Sequence, residues 1–190
     1  MARWLPDAQG RLCDAALELY SEQGFDATTV AEIADRAGVT ERTFFRYFTD
    51  KREVLFAAGH LWEDQIIAGI EDADRSLAPL DVVAAGLVAG ASLLDERRAF
   101  ALRRAAVLAA TPSLQERELL KMTKLAEAIT LTLGKRGVTD FDAQLAAETG
   151  VAAFRVAFAR WIADGSDGLS LGEHITEAAS ALRALAGGKN

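Results

Sequence analysis

Apolar residues recur at helical spacing along almost the whole chain. In the first such stretch Leu12, Ala16 and Leu19 fall on one face of a helix, with polar residues between them. No segment alternates polar and apolar residues as a half-buried strand does. The pattern therefore predicts an all-α fold of nine helices, at about residues 7–23, 29–37, 40–48, 51–75, 80–94, 96–109, 112–136, 140–163 and 170–185.

Two of these predicted helices are short and are separated by a glycine. Thr29 and Glu32 have the spacing of a capping box, which starts a helix by satisfying its first free N–H groups. Gly38 suits the left-handed position that ends a helix, and Thr40 can cap the next one. Two short helices joined by such a turn predict a helix-turn-helix.

The outer face of the second short helix carries groups that suit DNA. Arg42 and Arg46 are one turn apart, and an arginine in the major groove can donate two hydrogen bonds to guanine. Threonine, tyrosine and lysine suit phosphate oxygens. The alternative is a solvated helix with a few charges, and the preceding turn favours DNA binding. The outward set is Glu41, Arg42, Thr43, Phe45, Arg46 and Tyr47.

A long fourth helix is predicted to follow directly. Asp50 to Glu53 resembles a capping sequence, and apolar residues keep helical spacing from Val54 to about Arg75. Lys51 would lie in the first turn, where free N–H groups and a cation suit a phosphate. This helix would link the DNA surface to the rest of the protein.

Composition limits the classes of function. The formal net charge of −7 argues against non-specific coating of nucleic acid, and residues 1–55 are themselves net acidic. The four basic residues from Arg42 to Arg52 provide a local positive patch. Cys13 is the only cysteine, so we expect an intracellular, cytoplasmic protein with no disulfide and no cysteine zinc site. No membrane segment, metal site or cofactor is indicated.

The residues from Leu12 to Leu55 resemble the TetR family of transcriptional regulators. The resemblance lies in AALELYSEQGF, TTVAEIADRAGVT and ERTFFRYFTDKREVL. It implies a three-helix DNA-binding domain, placed at residues 1–50, and a six-helix domain at residues 51–190 that binds a small molecule and dimerises.

The resemblance also implies roles for individual residues. Many members carry His at the position of Tyr47 and Tyr at that of Phe45; a phenol still suits phosphate, and a phenyl ring can touch a thymine methyl group. The implied phosphate contacts are Thr28, Thr29, Thr43, Tyr47 and Lys51, with Thr40 at the helix start. The implied groove contacts are Glu41, Arg42, Phe45 and Arg46.

The later helices are similar to a TetR branch whose ligands are thought to be acyl-CoA-like. The similarity lies in LRRAAVLAATPSLQER, from Leu102, and FRVAFARWIADG, from Phe154. A small, largely apolar effector would then bind among residues that could equally be plain core. Arg103 and Arg104 are neighbours, so only one can face inward toward an anionic group. The candidate effector residues are Trp62, Ile66, Phe100, Arg103, Arg104, Met122, Phe154, Phe158 and Trp161.

The predicted function is a homodimeric repressor released from a palindromic operator by its effector. The last two helices are rich in alanine, which favours close packing between subunits or within one chain. Two alternatives stay open. The acidic N-terminal region keeps a helical protein-interaction module possible. An enzyme acting on a bound acyl ligand is least favoured, since His60 and His174 are far apart in sequence and no catalytic motif is found.

Overall fold

The computed structural model describes residues 8–57, 59–164 and 168–187. Within these ranges the regular structure consists of nine α-helices and one 3-10 turn, which confirms the predicted all-α fold. The helices are α1 (Ala8–Gln23), α2 (Val30–Arg36), α3 (Glu41–Tyr47), α4 (Gly59–Asp72), α5 (Pro79–Asp95), α6 (Arg98–Ala109), α7 (Pro112–Lys135), α8 (Asp140–Ala163) and α9 (Leu171–Ala186), with the 3-10 turn at Glu53–Phe56.

The start of α2 has the predicted capping box. The backbone N–H of Glu32 donates to Oγ1 of Thr29 (3.2 Å), and the backbone N–H of Thr29 donates to Oε2 of Glu32 (2.8 Å). The hydrogen bonds from the backbone N–H and then the hydroxyl of Thr29 hold the pKa of the Glu32 carboxyl below its usual value. The reciprocal bonds fix the first turn of α2 from local sequence alone.

A tight turn joins α2 to α3, as predicted. Gly38 has φ +67°, a left-handed conformation that costs a residue with a Cβ atom 1–2 kcal/mol, as an order of magnitude. The N–H of Val39 then donates to the carbonyl oxygen of Ala34 (2.9 Å), which closes the end of α2. Thr40 caps α3 by accepting from the N–H of Thr43. The helix-turn-helix is therefore present.

The predicted single helix over residues 51–75 is wrong. A 3-10 turn at Glu53–Phe56 comes first, and α4 begins only at Gly59. The carbonyl oxygen of Leu55 accepts a 2.8 Å hydrogen bond from Nε of Arg104, whereas in a continuous α-helix it would accept from the N–H of Gly59. A glycine is also a poor residue for a helix interior.

The chain divides into two compact units. The first comprises the chain up to Gly59 together with Ala99–Glu116, and the second comprises His60–Arg98 and the chain from Arg117 onward. This division differs from the predicted boundary at residue 50, because α6 and the first turn of α7 belong with the N-terminal helices. Val107, Leu108 and Leu114 are part of the same hydrophobic core as the buried side chains of α1, α2 and α3.

In the second unit, α5, α8 and α9 pack against one another. The backbones of α4 and α5 approach so closely at Gly86 that a Cβ atom there would lie 2.7 Å from the carbonyl oxygen of Ile66. Arg136 donates from its guanidinium group to the carbonyl oxygens of Glu71, Ala73 and Asp74, at 2.9–3.2 Å, where α4 ends. Among the described residues, the helices are too short or too polar to cross a membrane.

Candidate nucleic-acid interface

Helix α3 has one buried side and one exposed side. Phe44 is completely buried, and its ring centroid lies 5.5 Å from that of Phe48, which is also buried. This apolar side anchors α3 to the core of the first unit. The opposite side is held outward, and there Arg42, Thr43, Phe45 and Arg46 surround an open depression of about 580 Å³.

Two outward residues of α3 are left available for an external partner. Phe45 is 56% exposed, although an isolated phenyl ring gains from burial. Arg42 is exposed and has no hydrogen bond or ion pair to any other residue in the described part of the chain. Both residues are three positions apart on the helix, so their side chains point to the same side.

Arg46 is held differently from Arg42. Its Nη2 donates a 2.9 Å hydrogen bond to the hydroxyl oxygen of Tyr47, and its guanidinium carbon lies 4.8 Å from the centroid of the same ring. Tyr47 remains 38% exposed. The two side chains therefore form a pair at the end of α3.

The predicted threonine contacts at the helix starts serve mainly as caps. Oγ1 of Thr29 donates to Oε2 of Glu32 (2.8 Å), and Oγ1 of Thr40 lies 3.0 Å from Oγ1 of Thr43. All of these hydroxyl groups except that of Thr43, which is half-buried, belong to exposed residues. Glu41 is exposed in the first turn of α3. A phosphate contact by Thr29, Thr40 or Thr43 remains a prediction, and it would have to share a hydroxyl that is already hydrogen-bonded within the unit.

Thr28 does not present its side chain as expected. The residue is 1% exposed, and its hydroxyl donates to the carbonyl oxygen of Gly24 (2.8 Å). Gln23 in turn donates to that hydroxyl oxygen (3.3 Å). The hydroxyl is therefore buried and bonded inside the unit, and a phosphate contact from it stays a prediction that would require this bond to be given up.

Lys51 also takes a different role from the predicted phosphate anchor. Its Nζ donates to the carbonyl oxygens of Phe25 (2.8 Å), Thr28 (2.8 Å) and Asp26 (3.3 Å). The ammonium group lies 4.4 Å from the centroid of the Phe25 ring, a cation–π contact. Because an ammonium group has three N–H donors, these carbonyls account for all of its donors, and Lys51 fixes the loop between α1 and α2.

Tyr20 completes this arrangement, and sequence reasoning did not identify its contact with Lys51. Its hydroxyl donates to the carbonyl oxygen of Lys51 (2.6 Å), and its ring packs edge-on against Phe25. Burial raises the pKa of the Tyr20 phenol, so the group remains a protonated donor even at alkaline pH. The pairing joins residues 31 positions apart in sequence, and helical periodicity carries no information about such a contact.

Internal ion pairs reduce the positive patch that composition suggested. Arg36 pairs with Glu18 (3.4 Å) and Glu22 (3.0 Å), and the hydrogen bond from Arg36 to Glu22 lowers the pKa of Glu22. Arg52 pairs with Asp50 (2.8 Å). Of the four basic residues from Arg42 to Arg52, Arg42 and Arg46 on the outer face of α3 are therefore the ones directed to an outside partner.

The candidate effector residues fall into both units. Phe100, Arg103 and Arg104 belong to the first unit, and the other six to the second. In the second unit four aromatic rings form a row, with centroid separations of 5.0 Å for Trp62–Phe154, 5.8 Å for Phe154–Phe158 and 5.5 Å for Phe158–Trp161. Ile66 is fully buried near this row, since both it and Trp62 approach Gly90. Met122 is half-buried on α7.

Of the adjacent residues Arg103 and Arg104, one faces solvent and the other faces inward, as was expected for neighbours on a helix. Arg103 is exposed, whereas Arg104 donates to the carbonyl oxygen of Leu55 and lies 4.9 Å from the ring centroid of Phe56. Arg104 thus binds α6 to the 3-10 turn inside the first unit. Arg98, which was not a candidate, lies 4.6 Å from the Trp161 ring centroid and donates to the Trp161 carbonyl oxygen.

Comparisons with known proteins match two stretches of the chain to known families. The family described as bacterial regulatory proteins, tetR family, matches residues 12–58, and the family described as MftR C-terminal domain matches residues 77–186. A Mycobacterium tuberculosis protein named as the mycofactocin biosynthesis transcriptional regulator MftR is 26% identical over 162 residues, covering 84% of this chain and 82% of that protein. The transcriptional activator FasR of Mycolicibacterium smegmatis is 33% identical over 70 residues, covering 37% of this chain and 32% of that protein.

Solved structures show the same fold. The fatty acid degradation regulator FadR of Bacillus halodurans superposes with a TM-score of 0.62 at 16% identity, over 92% of this chain and 94% of that one. The SmeT–triclosan complex superposes with a TM-score of 0.63 at 19% identity, over 94% and 90%. The family match to residues 77–186 alone covers more than half of the chain. The protein therefore belongs to the tetR family of bacterial regulatory proteins and is a DNA-binding transcriptional regulator.

Proposed function

We propose that the protein is a cytoplasmic homodimeric repressor that leaves a palindromic operator when a small, largely apolar effector binds its second unit. The observation that carries the DNA-binding part is the outward face of α3, where Arg42 and Phe45 are exposed and where Arg42 has no internal partner in the described chain. In helix-turn-helix proteins the second helix enters the major groove, and residues near its N-terminus contact base edges. Arg42 would read a guanine and Phe45 a thymine methyl group.

The proposed dimer interface lies on α8 and α9. Phe141 (74% exposed) and Leu145 on α8, and Leu185 (80% exposed) on α9, present large apolar side chains to solvent, as does Val156. Exposed apolar patches of this kind mark contact surfaces. A second copy of the chain is the expected occupant, because one helix-turn-helix reads one half-site and a palindrome needs two.

The alanines divide between the two expected roles. Ala146, Ala147, Ala153, Ala157 and Ala179 are buried within one chain, which supports intramolecular packing for them. Ala152, Ala181 and Ala184 are exposed. Those three remain available for close approach to a second subunit.

The aromatic row of the second unit is the proposed effector site. Trp62 and Trp161 each have a buried indole N–H without a hydrogen-bond partner in the described residues. A buried donor without an acceptor is costly, and a ligand that separates the rings and offers an acceptor would relieve that cost. Trp62 and Ile66 are on α4, whose first residue, Gly59, is also the last residue of that stretch of the first unit. A ligand bound at the aromatic row would displace α4, and with it the residues that connect α4 to α3.

An acyl-CoA-like ligand fits an apolar site of this kind. Palmitoyl-CoA, free coenzyme A and palmitate would be titrated while tryptophan fluorescence is followed in a Trp4→Phe protein, which leaves Trp62 and Trp161 as the emitters. Saturable quenching by palmitoyl-CoA, lost in Phe154→Ala, is expected. If none of the three compounds changed the tryptophan fluorescence, acyl-CoA-like ligands would be excluded as effectors.

The central experiment is selection of bound sites from a random-sequence duplex pool by the purified protein. We expect an inverted repeat whose half-site centres are about one helical turn, or a multiple of it, apart. Release of the selected duplex by the effector would establish the repressor mode. Recovery of unenriched DNA would contradict the function, and a single ungapped half-site would contradict the dimeric reading.

A further inference from the structure

The two arginines on the outer face of α3 are held in different ways. Arg42, in the first turn, has no hydrogen-bond or ion-pair partner among the described residues, so its guanidinium group can turn toward a base edge. Arg46, in the last turn, is bonded to the Tyr47 hydroxyl at 2.9 Å and stacked on the Tyr47 ring at 4.8 Å. An arginine bonded and stacked in this way has lost much of the freedom that a base contact would use.

The Arg46–Tyr47 pair offers several donors side by side. The Tyr47 hydroxyl oxygen accepts from Arg46, which leaves the O–H of Tyr47 able to donate. Arg46 uses one N–H in that bond, and four N–H donors of its guanidinium group remain, by the ordinary count of five for arginine. Two adjacent donors of this kind match two oxygens of one phosphate.

The position on the helix agrees with a backbone contact. Base contacts in helix-turn-helix proteins come from the N-terminal residues of the second helix, where Arg42 lies. Arg46 and Tyr47 are the last two residues of α3, and Tyr47 remains exposed. With Lys51 and the Thr28 hydroxyl engaged inside the unit, this pair is the strongest donor set left on the described part of the helix-turn-helix.

We propose that Arg46 and Tyr47 act together as a preformed clamp for one DNA phosphate, and that base reading is left to Arg42 and Phe45. This inference rests on the proposed operator binding. It moves Arg46 from the predicted groove contacts to the backbone contacts. It also makes Tyr47 the residue that positions the guanidinium group before DNA arrives.

The proposed clamp predicts three results for the substitutions Arg46→Gln and Tyr47→Phe. Each should weaken binding to the wild-type selected duplex and to the random pool by the same factor, about tenfold, because a charge-assisted phosphate bond carries no sequence information. Arg46→Gln should lower the slope of log K against log salt by about one. The double variant should lose less than the product of the two single losses, since either change breaks the shared contact.

Arg42→Gln is the matched control on the same face. It should change the preferred base at one position of the selected site, whereas Arg46→Gln and Tyr47→Phe should select the wild-type sequence. Equal thermal unfolding midpoints for all variants would show that α3 is intact. If the wild-type protein enriches no sequence, the proposed function fails and the clamp with it. If it does enrich one, a changed base preference in Arg46→Gln, or independent losses from the two substitutions, overturns the clamp alone.

Discussion

The ammonium group of Lys51 lies 4.4 Å from the centroid of the Phe25 ring and 2.8 Å from the Phe25 carbonyl oxygen. One lysine thus binds both the ring and the backbone of Phe25, the second residue of the loop after α1. The same ammonium group reaches the Thr28 carbonyl oxygen, next to the residue that caps α2. The position of α2 therefore depends on a side chain that lies after α3 in sequence.

Replacing Lys51 by methionine should destabilise the protein more than it affects DNA contacts. Three carbonyl oxygens would lose a charged donor, at a cost of about 1–3 kcal/mol in the free energy of unfolding. Urea unfolding measures this cost, with Arg42→Met as the control, which should stay within about 0.5 kcal/mol because Arg42 is exposed. Unchanged stability together with a salt slope lowered by one would instead make Lys51 a phosphate ligand.

Arg42→Ala should remove sequence preference. Loss of a bidentate guanine contact costs about 1–3 kcal/mol on the preferred duplex and much less on random DNA. Competition binding with the two duplexes measures the difference. Lys124→Ala, an exposed change in the second unit, is the control for net charge. Equal losses on both duplexes would exclude Arg42 as a base reader.

Leu114→Ala tests whether the corner between α6 and α7 belongs to the first unit. Leu114 is 0% exposed and lies in the core that contains Phe44, so we expect a loss of about 2–5 kcal/mol in unfolding free energy. Leu131→Ala on the same helix is the matched control, because Leu131 is 69% exposed and should change stability little. Operator affinity should also fall when it is measured at a temperature where the Leu114→Ala variant is partly unfolded. Similar stabilities for the two variants would contradict the assignment of Leu114 to this core.

Leu145→Glu combined with Leu185→Glu should give a monomer. Charges placed on the exposed apolar faces of α8 and α9 would have to be buried in the proposed interface, which is costly for an unpaired carboxylate. Sedimentation velocity reports the change in mass, and affinity for the palindrome should fall by a factor of about 10²–10⁴ as the second half-site is lost. Leu131→Glu, a charge on an exposed leucine of α7, should leave the dimer intact. A dimer that survives the double change would place the interface elsewhere.

The local features were predictable from sequence, and the contacts between distant residues were not. The Thr29–Glu32 box and the Gly38 turn are set by residues close together in sequence, and both are present. The contacts of Lys51 and Arg104 connect residues more than twenty positions apart, and each changes a prediction. The Lys51 contacts hold inside the unit a side chain that was expected to bind a phosphate. The hydrogen bond from Arg104 to Leu55 accompanies the break in the expected fourth helix.

The division into units was unpredictable for the same reason. Val107 and Leu114 fit helical spacing equally well whichever core they join. Only the three-dimensional packing places them with Leu12 and Phe44. The outward residues of α3 were easier to identify, because a seven-residue helix with one buried face leaves few alternatives for the rest.

The discontinuity of the first unit also affects the order of events during biosynthesis. Its N-terminal segment leaves the ribosome first, but Val107, Leu108 and Leu114, which complete its core, follow only after α4 and α5 have been translated. Until then the nascent chain exposes the apolar side chains of α1 to α3 that these three residues cover in the folded unit. We therefore expect the DNA-reading portion to become protease-resistant late, once residue 116 has emerged, although its helices α1 to α3 are translated before α4 and α5.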